Sequence, residues 1–168
     1  MYQHILLAVA LQGSEEFSAH ALAARSAAVS LARGADAKLS VLSVYEYDDL
    51  DASGLPPEDL GRFRESQMQR IDAVMQQRMK TFLDGIPTGD LDITPLLKIG
   101  EARTLILRTA DSLGVDLIVI GAHGKRSFLD VLLGGTAAYV GRHAFCPVIM
   151  VQPGPEEKRL TPAIDPGV

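Results

Sequence analysis

Leu117-Ile118-Val119-Ile120-Gly121-Ala122-His123-Gly124, then nine residues, then Gly134-Gly135-Thr136, is the stretch that decides the reading of this 168-residue chain. A short, unbroken apolar run is the pattern of a strand covered on both faces. Glycines at its end let the backbone turn tightly and approach a ligand where a Cβ would clash. Gly121, Gly124 and Gly134 are placed this way, and the last of them opens a helical pattern reaching Ala144. A helix starting at Gly134 directs free N–H groups, and the positive end of its dipole, at whatever lies there, which suits phosphate. The plainer alternative for Gly121 and Gly124 is a tight turn without a ligand. Two glycines at a strand end with a third opening a helix favour the phosphate reading.

The alternation of short apolar runs with helical spacing extends in both directions. Ile5-Leu6-Leu7-Ala8-Val9 is another buried-strand run, and Leu39 to Val44 a second. Between them Phe17, Ala21, Ala24, Ala28 and Leu31 mark one helix face, with Gly34 as the expected stop. An acidic, turn-rich loop occupies Glu46 to Pro57. A helix is predicted from about Glu58 to Leu83, with Met68, Ile71, Met75, Met79 and Phe82 on one face. Leu91 to Leu97 reads as a strand that Pro95, Asp92 and Thr94 assign to a sheet edge. Ala102, Leu105, Ile106, Thr109, Ala110 and Leu113 describe a further helix, Asp116 to Ile120 a strand, and Pro147 to Val151 the last strand. Such alternation predicts a single-domain α/β fold: an open parallel five-stranded sheet, right-handed crossovers, helices on both faces. Ligands in such sheets bind beyond the carboxyl ends of the strands, where strand order reverses.

Bulk properties narrow the function classes. The 47% hydrophobic and 22% charged content is that of a globular protein. A net charge of −5 argues against general nucleic-acid binding, which usually needs a basic excess. No apolar run approaches the ~20 residues needed to cross a bilayer. The run Ile5 to Leu11 is preceded by no basic segment, so it reads as a strand rather than a signal peptide. A lone Cys146 excludes an internal disulfide framework and fits a reducing compartment. A cytoplasmic protein is expected, without a membrane partner. Residues 1–152 form the expected domain, and 153–168, with four prolines and little apolar content, an expected flexible tail.

His4-Ile5-Leu6-Leu7-Ala8-Val9, Asp116 to Gly124, Leu132-Leu133-Gly134-Gly135-Thr136 and Arg142-His143-Ala144-Phe145-Cys146-Pro147-Val148 occur in this order. On these motifs the chain resembles a universal stress protein from His4 to Gln152. The resemblance implies a Rossmann-like, adenine nucleotide alpha hydrolase-like sheet of order 3-2-1-4-5, commonly in a homodimer. It also implies binding of ATP or a related adenine nucleotide through G-x-x-G-x9-G-[ST]. Gly121, Gly124 and Gly134 match that pattern, whereas Gly135 stands where Ser or Thr is usual and Thr136 follows one place later. Binding members usually carry an Asp after the first strand, near the ribose; here the position is Ala10. By the same resemblance Ala8 and Val44 line an adenine slot through main-chain groups, and Ile120 forms its apolar floor.

Other chemistry-bearing residues carry plainer readings. Gly135 loses a hydroxyl but keeps a backbone N–H for an anion nest, and Thr136 either supplies the hydroxyl or faces solvent. Lys125 and Arg126 are second-rank phosphate partners, and Gly124-Lys125-Arg126-Ser127 is not a P-loop, because Arg follows the lysine. His123 has no acidic partner nearby in sequence, so catalysis is not assigned to it. His20 and His143 read as helix residues, Cys146 as a packed thiol. Met68, Met75 and Met79 read as core, and Asp116 as a residue at the far pole from the glycine loop. Asp48, Asp49 and Asp51 lack regular metal-ligand spacing. The apolar Val148-Ile149-Met150-Val151 is expected at a sheet edge, to be covered by the same strand of a second copy.

The combined expectation is a homodimeric, stress-linked adenine-nucleotide (ATP or AMP) binding protein. It has no assigned catalytic residue or metal site, and Mg2+ enters only with ATP. The alternatives are a regulator of the same fold that has lost its nucleotide, and, further off, a weak ATP hydrolase.

Overall fold

The computed structural model describes residues 1–13, 16–47, 56–87, 89, 91–121 and 135–154. The elements run β1 (His4–Ala8), α1 (Ala19–Ala35), β2 (Lys38–Tyr45), α2 (Pro57–Asp84), β3 (Ile93–Ile99), α3 (Ala102–Ser112), β4 (Leu117–Gly121), α4 (Thr136–His143) and β5 (Val148–Val151). The five strands are parallel, in the order β3-β2-β1-β4-β5.

β1 is the centre because its side chains are apolar on both faces. Ile5 stands between Leu39 and Leu117, and Leu7 between Val41 and Val119. These residues and Val9 pack with α1 and α2, whereas Leu6 and Ala8 face α3 and α4. Successive side chains alternate between faces, so one five-residue strand feeds two cores. β3 is an edge strand as expected, displaced two residues toward the C-terminus from Leu91–Leu97. Pro95 lies opposite Val41, where a strand with one neighbour tolerates a missing N–H.

α1 begins where the Ser18 side chain accepts a hydrogen bond from Ala21 N at 3.1 Å. Its buried stripe is Ala21, Ala24, Ala28 and Ala32, and small side chains let its axis lie close to the sheet. The expected stop at Gly34 is corrected: that residue stays inside the helix. Asp36 ends it in the left-handed region, at φ 52°, with its N–H bonded to the Ala32 and Arg33 carbonyls. Asp tolerates this conformation because its short polar side chain bonds locally.

α2 presents Met75, Met79 and Phe82 to the core, with Ile71 at the margin and Met68 exposed. Its apolar stripe is thus shorter than the predicted one at the N-terminal end. The Phe82 ring meets Phe17 edge to face at 5.2 Å, under the Arg25 guanidinium, which also donates to the Phe82 carbonyl at 2.7 Å. Tyr45 and Tyr47 both donate to Asp72 at 2.7 Å, fixing the end of β2 to α2. α4 opens at Thr136 with Gly135 as its N-cap, two residues later than the predicted start at Gly134. Gly134 itself, the acidic loop from 48 to 55 and the tail from 155 lie outside the described residues.

Candidate functional site

A cleft of about 190 Å³ lies over the carboxyl ends of β1, β2 and β4. It sits where strand order reverses, because the chain leaves β1 toward β2 on one side and returns to β4 on the other. Ala8, Leu42, Val44 and Ile120 form its floor, Ala102 and Ile106 of α3 one wall, and residues 135–138 at the start of α4 the other. Ser18 and His20 of α1 look in from the opposite face of the sheet. The volume is below the ~300–1,000 Å³ of usual small-molecule clefts, so a nucleotide-sized ligand seated here extends beyond it.

Six residues singled out in the sequence converge on this cleft: Ala8, Val44, Ile120, Gly121, Gly135 and Thr136. Gly124 and Gly134 lie outside the described residues, as do His123, Lys125, Arg126, Asp48, Asp49 and Asp51. Sequence reading missed Ser18, Ala102, Ile106 and Met150, and left His20 without a role. The first helical turns of α1 and α3 carried the only available signal, since both follow strands whose ends face a ligand in doubly wound sheets.

Gly121 is required for a reason other than tight turning. Its backbone is outside the positive-φ region, but a Cβ there would lie 2.9 Å from the His20 carbonyl oxygen and 3.2 Å from its carbon. Only a residue without a side chain lets the start of α1 lie on the end of β4. That contact carries Ser18 and His20 over the sheet's crest and into the cleft.

Three helix N-termini surround the cleft, and they differ in how their amides are used. At α1, Ser18 takes the Ala21 N–H. At α3, the Glu101 carboxylate accepts from Arg103 N at 3.1 Å and Thr104 N at 2.8 Å. These bonds, the Thr104 contact first, hold the Glu101 carboxyl below its usual pKa. At α4, Gly135 offers no side-chain cap and the first turn holds no acidic residue. The first intrahelical bond is Tyr139 N to Gly135 O, so the N–H groups of Thr136, Ala137 and Ala138 have no partner within the helix. Among the described residues no side chain caps this end, where the helix dipole favours an anion.

The rim beside β1 is held by side-chain to main-chain hydrogen bonds. Gln12 exchanges two hydrogen bonds with the Glu46 main chain, at 2.8 and 3.1 Å. Leu11 N donates to Ser43 Oγ at 3.3 Å, and Arg78 donates to the Leu11 carbonyl. Ala10 is exposed on this rim and lines the cleft. Among the described lining residues there is no carboxylate, and His20 is the sole titratable side chain.

The remaining candidates lie elsewhere. Asp116 accepts from Gln3 N at 2.8 Å and His4 N at 3.2 Å at the opposite pole, where it anchors the start of β1. A His143 ring nitrogen lies 2.8 Å from the Tyr139 carbonyl, and the two rings stack. Burial, and then the Asp116 charge, push the Cys146 thiol pKa up, which disfavours the thiolate. No group of three or more His, Cys, Asp or Glu side chains among the described residues is placed to hold a metal.

A doubly wound parallel sheet with a ligand cleft at its switch point is the class that these features define. The model of the universal stress protein family matches residues 1–152, and the chain belongs to that family. The structure of universal stress protein UspA from Lactobacillus plantarum is 28% identical, covering 89% of this chain and 97% of that one with a TM-score of 0.59. An Arabidopsis thaliana family member solved with AMP bound is 19% identical, covering 92% and 94% with a TM-score of 0.63. A universal stress protein solved in complex with cAMP is 22% identical, covering 91% and 98% with a TM-score of 0.58. Alignments with the first curated relatives, all universal stress proteins, cover 38%, 66% and 33% of those proteins' own lengths, less than two thirds in each case.

Gly121→Ala is expected to destabilise the protein by roughly 1–3 kcal/mol, the range of overpacked sites, because the added methyl meets main chain; urea denaturation measures this. A second expectation concerns Glu101. A carboxyl whose pKa is depressed in the folded state adds stability above its unfolded pKa and loses it as pH falls through the folded value. The wild type should therefore melt above Glu101→Gln at pH 6, with the gap closing below about pH 4; melting curves across that range check it.

Proposed function

We propose that the chain binds an adenine nucleotide, AMP or ATP, in this cleft and serves as a stress-linked sensor or regulator in the cytoplasm. The observation that carries the reading is the start of α4, which no described side chain caps and which lines a cleft whose other end is apolar. Phosphate fits the Thr136, Ala137 and Ala138 amides, which have no partner within the helix, and the base fits the hydrocarbon floor of Leu42, Val44 and Ile120. The AMP and cAMP complexes of structural neighbours support the same ligand class. Gly121, Gly124, Gly134, Gly135 and Thr136 would cradle the phosphates, with Mg2+ arriving only with ATP. No helix among the described residues is long and apolar enough to cross a membrane.

The proposal includes a homodimer closed through β5. This strand has β4 as its single neighbour in the sheet, and Ile149 and Met150 are 36% and 46% exposed. An apolar edge of that kind invites pairing with a second copy.

Saturating nucleotide tests the first claim. A ligand at a hundredfold excess over Kd adds about 2.7 kcal/mol, which raises Tm by roughly 5–10 °C for a domain of this size. A thermal scan with AMP and ATP should show that rise; no shift with either would favour a regulator that acts through its surfaces alone. For the dimer, light scattering at micromolar concentration should return a mass near twice 18.0 kDa. Ile149→Lys should return a monomer, and a monomeric wild type would defeat the claim.

A further inference from the structure

The end of β2 that lines the cleft is held from the other face of the sheet. Val44 lines the cleft, whereas Tyr45 is buried in the core shared with α1 and α2. Neighbours along a strand point to opposite faces, so fixing the Tyr45 side chain sets where Val44 stands. Asp72 of α2 fixes it. The Tyr45 hydroxyl donates to Asp72 Oδ1 at 2.7 Å, and the Tyr47 hydroxyl donates to the same oxygen at 2.7 Å. The two rings meet edge to face at 6.1 Å. Hydrogen bonds to an ionised acceptor are roughly twice as strong as those between neutral groups. Burial first, and then the Asp72 bond, push the Tyr45 hydroxyl pKa far up; for Tyr47 the Asp72 bond comes first. Both phenols therefore remain donors at neutral pH.

The same strand end governs two further parts of the cleft. The Tyr45 carbonyl accepts from Gly100 N at 3.0 Å. Gly100, at φ 134°, turns the chain from β3 into α3, whose Ala102 and Ile106 form one wall. Glu46, next in sequence, exchanges its two bonds with Gln12, and Leu11 N donates to Ser43 Oγ, which ties the rim beside Ala10 to β2. Arg78 of α2 reaches the same rim through the Leu11 carbonyl. Asp72 stands where α2 meets the sheet: Met75, Met79 and Phe82 after it are buried, and Met68, one turn earlier, is exposed.

We infer that Asp72, although it lies outside the cleft, is a positioning residue for the ligand: one carboxylate oxygen holds the end of β2 so that Val44 and the α3 wall close on the base. This role rests on the nucleotide reading above and extends it to α2. It needs an acceptor more than a charge, because both hydroxyls meet a single oxygen, which a carboxamide also supplies.

Calorimetric titration of AMP into the full chain, with melting curves on the same preparations, tests the role. Asp72→Asn keeps the acceptor and should bind AMP within about twofold of the wild type. Asp72→Leu removes it and should bind about tenfold more weakly at a temperature where its melting curve shows it folded. Tyr47→Phe removes one bond, leaves Tyr45 on Asp72 and should lose about threefold; it decides the matter where Asp72→Leu does not fold. A contact that only stabilises the fold lowers Tm and leaves the folded protein's affinity alone. Wild-type affinity in folded Asp72→Leu, or in Tyr47→Phe, would therefore overturn the inference while leaving the nucleotide reading intact. A tenfold loss in Asp72→Asn would also overturn it, since charge and not the shared acceptor would then be at work. No binding of AMP or ATP by the wild type would overturn the nucleotide reading and this inference together.

Discussion

The backbone of α1 rests on the end of β4 because residue 121 has no side chain. A methyl there would stand 2.9 Å from a carbonyl oxygen, a contact that only movement of a whole helix could relieve. The alanine stripe Ala21, Ala24, Ala28 and Ala32 continues the same close approach along the sheet. Close seating of α1 has a functional consequence as well as a packing one. It brings the first turn of a helix from one face of the sheet into a cleft whose walls belong to the other face. A bulkier interface would hold the same helix away from the crest and remove Ser18 and His20 from the site.

What suits this cleft to an anion lies in main chain more than in side chains. Two of the three helix starts around it are closed by their own residues, Ser18 and Glu101, and the third receives no cap from its N-cap residue, Gly135. Capping stabilises a helix by about 1 kcal/mol, so an uncapped start gives up that stabilisation unless something else fills it. Gly135 provides no such group, and Thr136, Ala137 and Ala138 line the cleft. No carboxylate stands among the described lining residues, and Glu101 at the start of α3 is bonded to the Arg103 and Thr104 amides.

The strands and the order of elements were legible because apolar runs such as Leu117 to Ile120 admit few other readings. Boundaries were less so. Gly34 looked like a helix stop, yet Asp36 takes the left-handed turn two residues later, a conformation that Asp tolerates. Met68 shared the spacing of Met75 and Met79, but lies beyond the reach of the sheet and is exposed. In the site, the strand-end residues were found from the motif and the family resemblance, whereas Ala102, Ile106 and Met150 were not. These three come from elements distant in sequence from the glycine stretch, and alanine, isoleucine and methionine carry no chemical signature. Their role follows from three-dimensional packing alone.

A site of this construction tolerates changes that would disable one built from side chains. Gly135 in place of Ser or Thr deletes a hydroxyl yet leaves the amide that an anion meets, since every residue except proline supplies one. Ala10 places a methyl on the rim where a longer polar side chain would reach into the cleft. Position 121 has no such latitude, because what it provides is empty space. The constraint on this cleft is set by where two backbones touch, and the side chains around it vary within that limit.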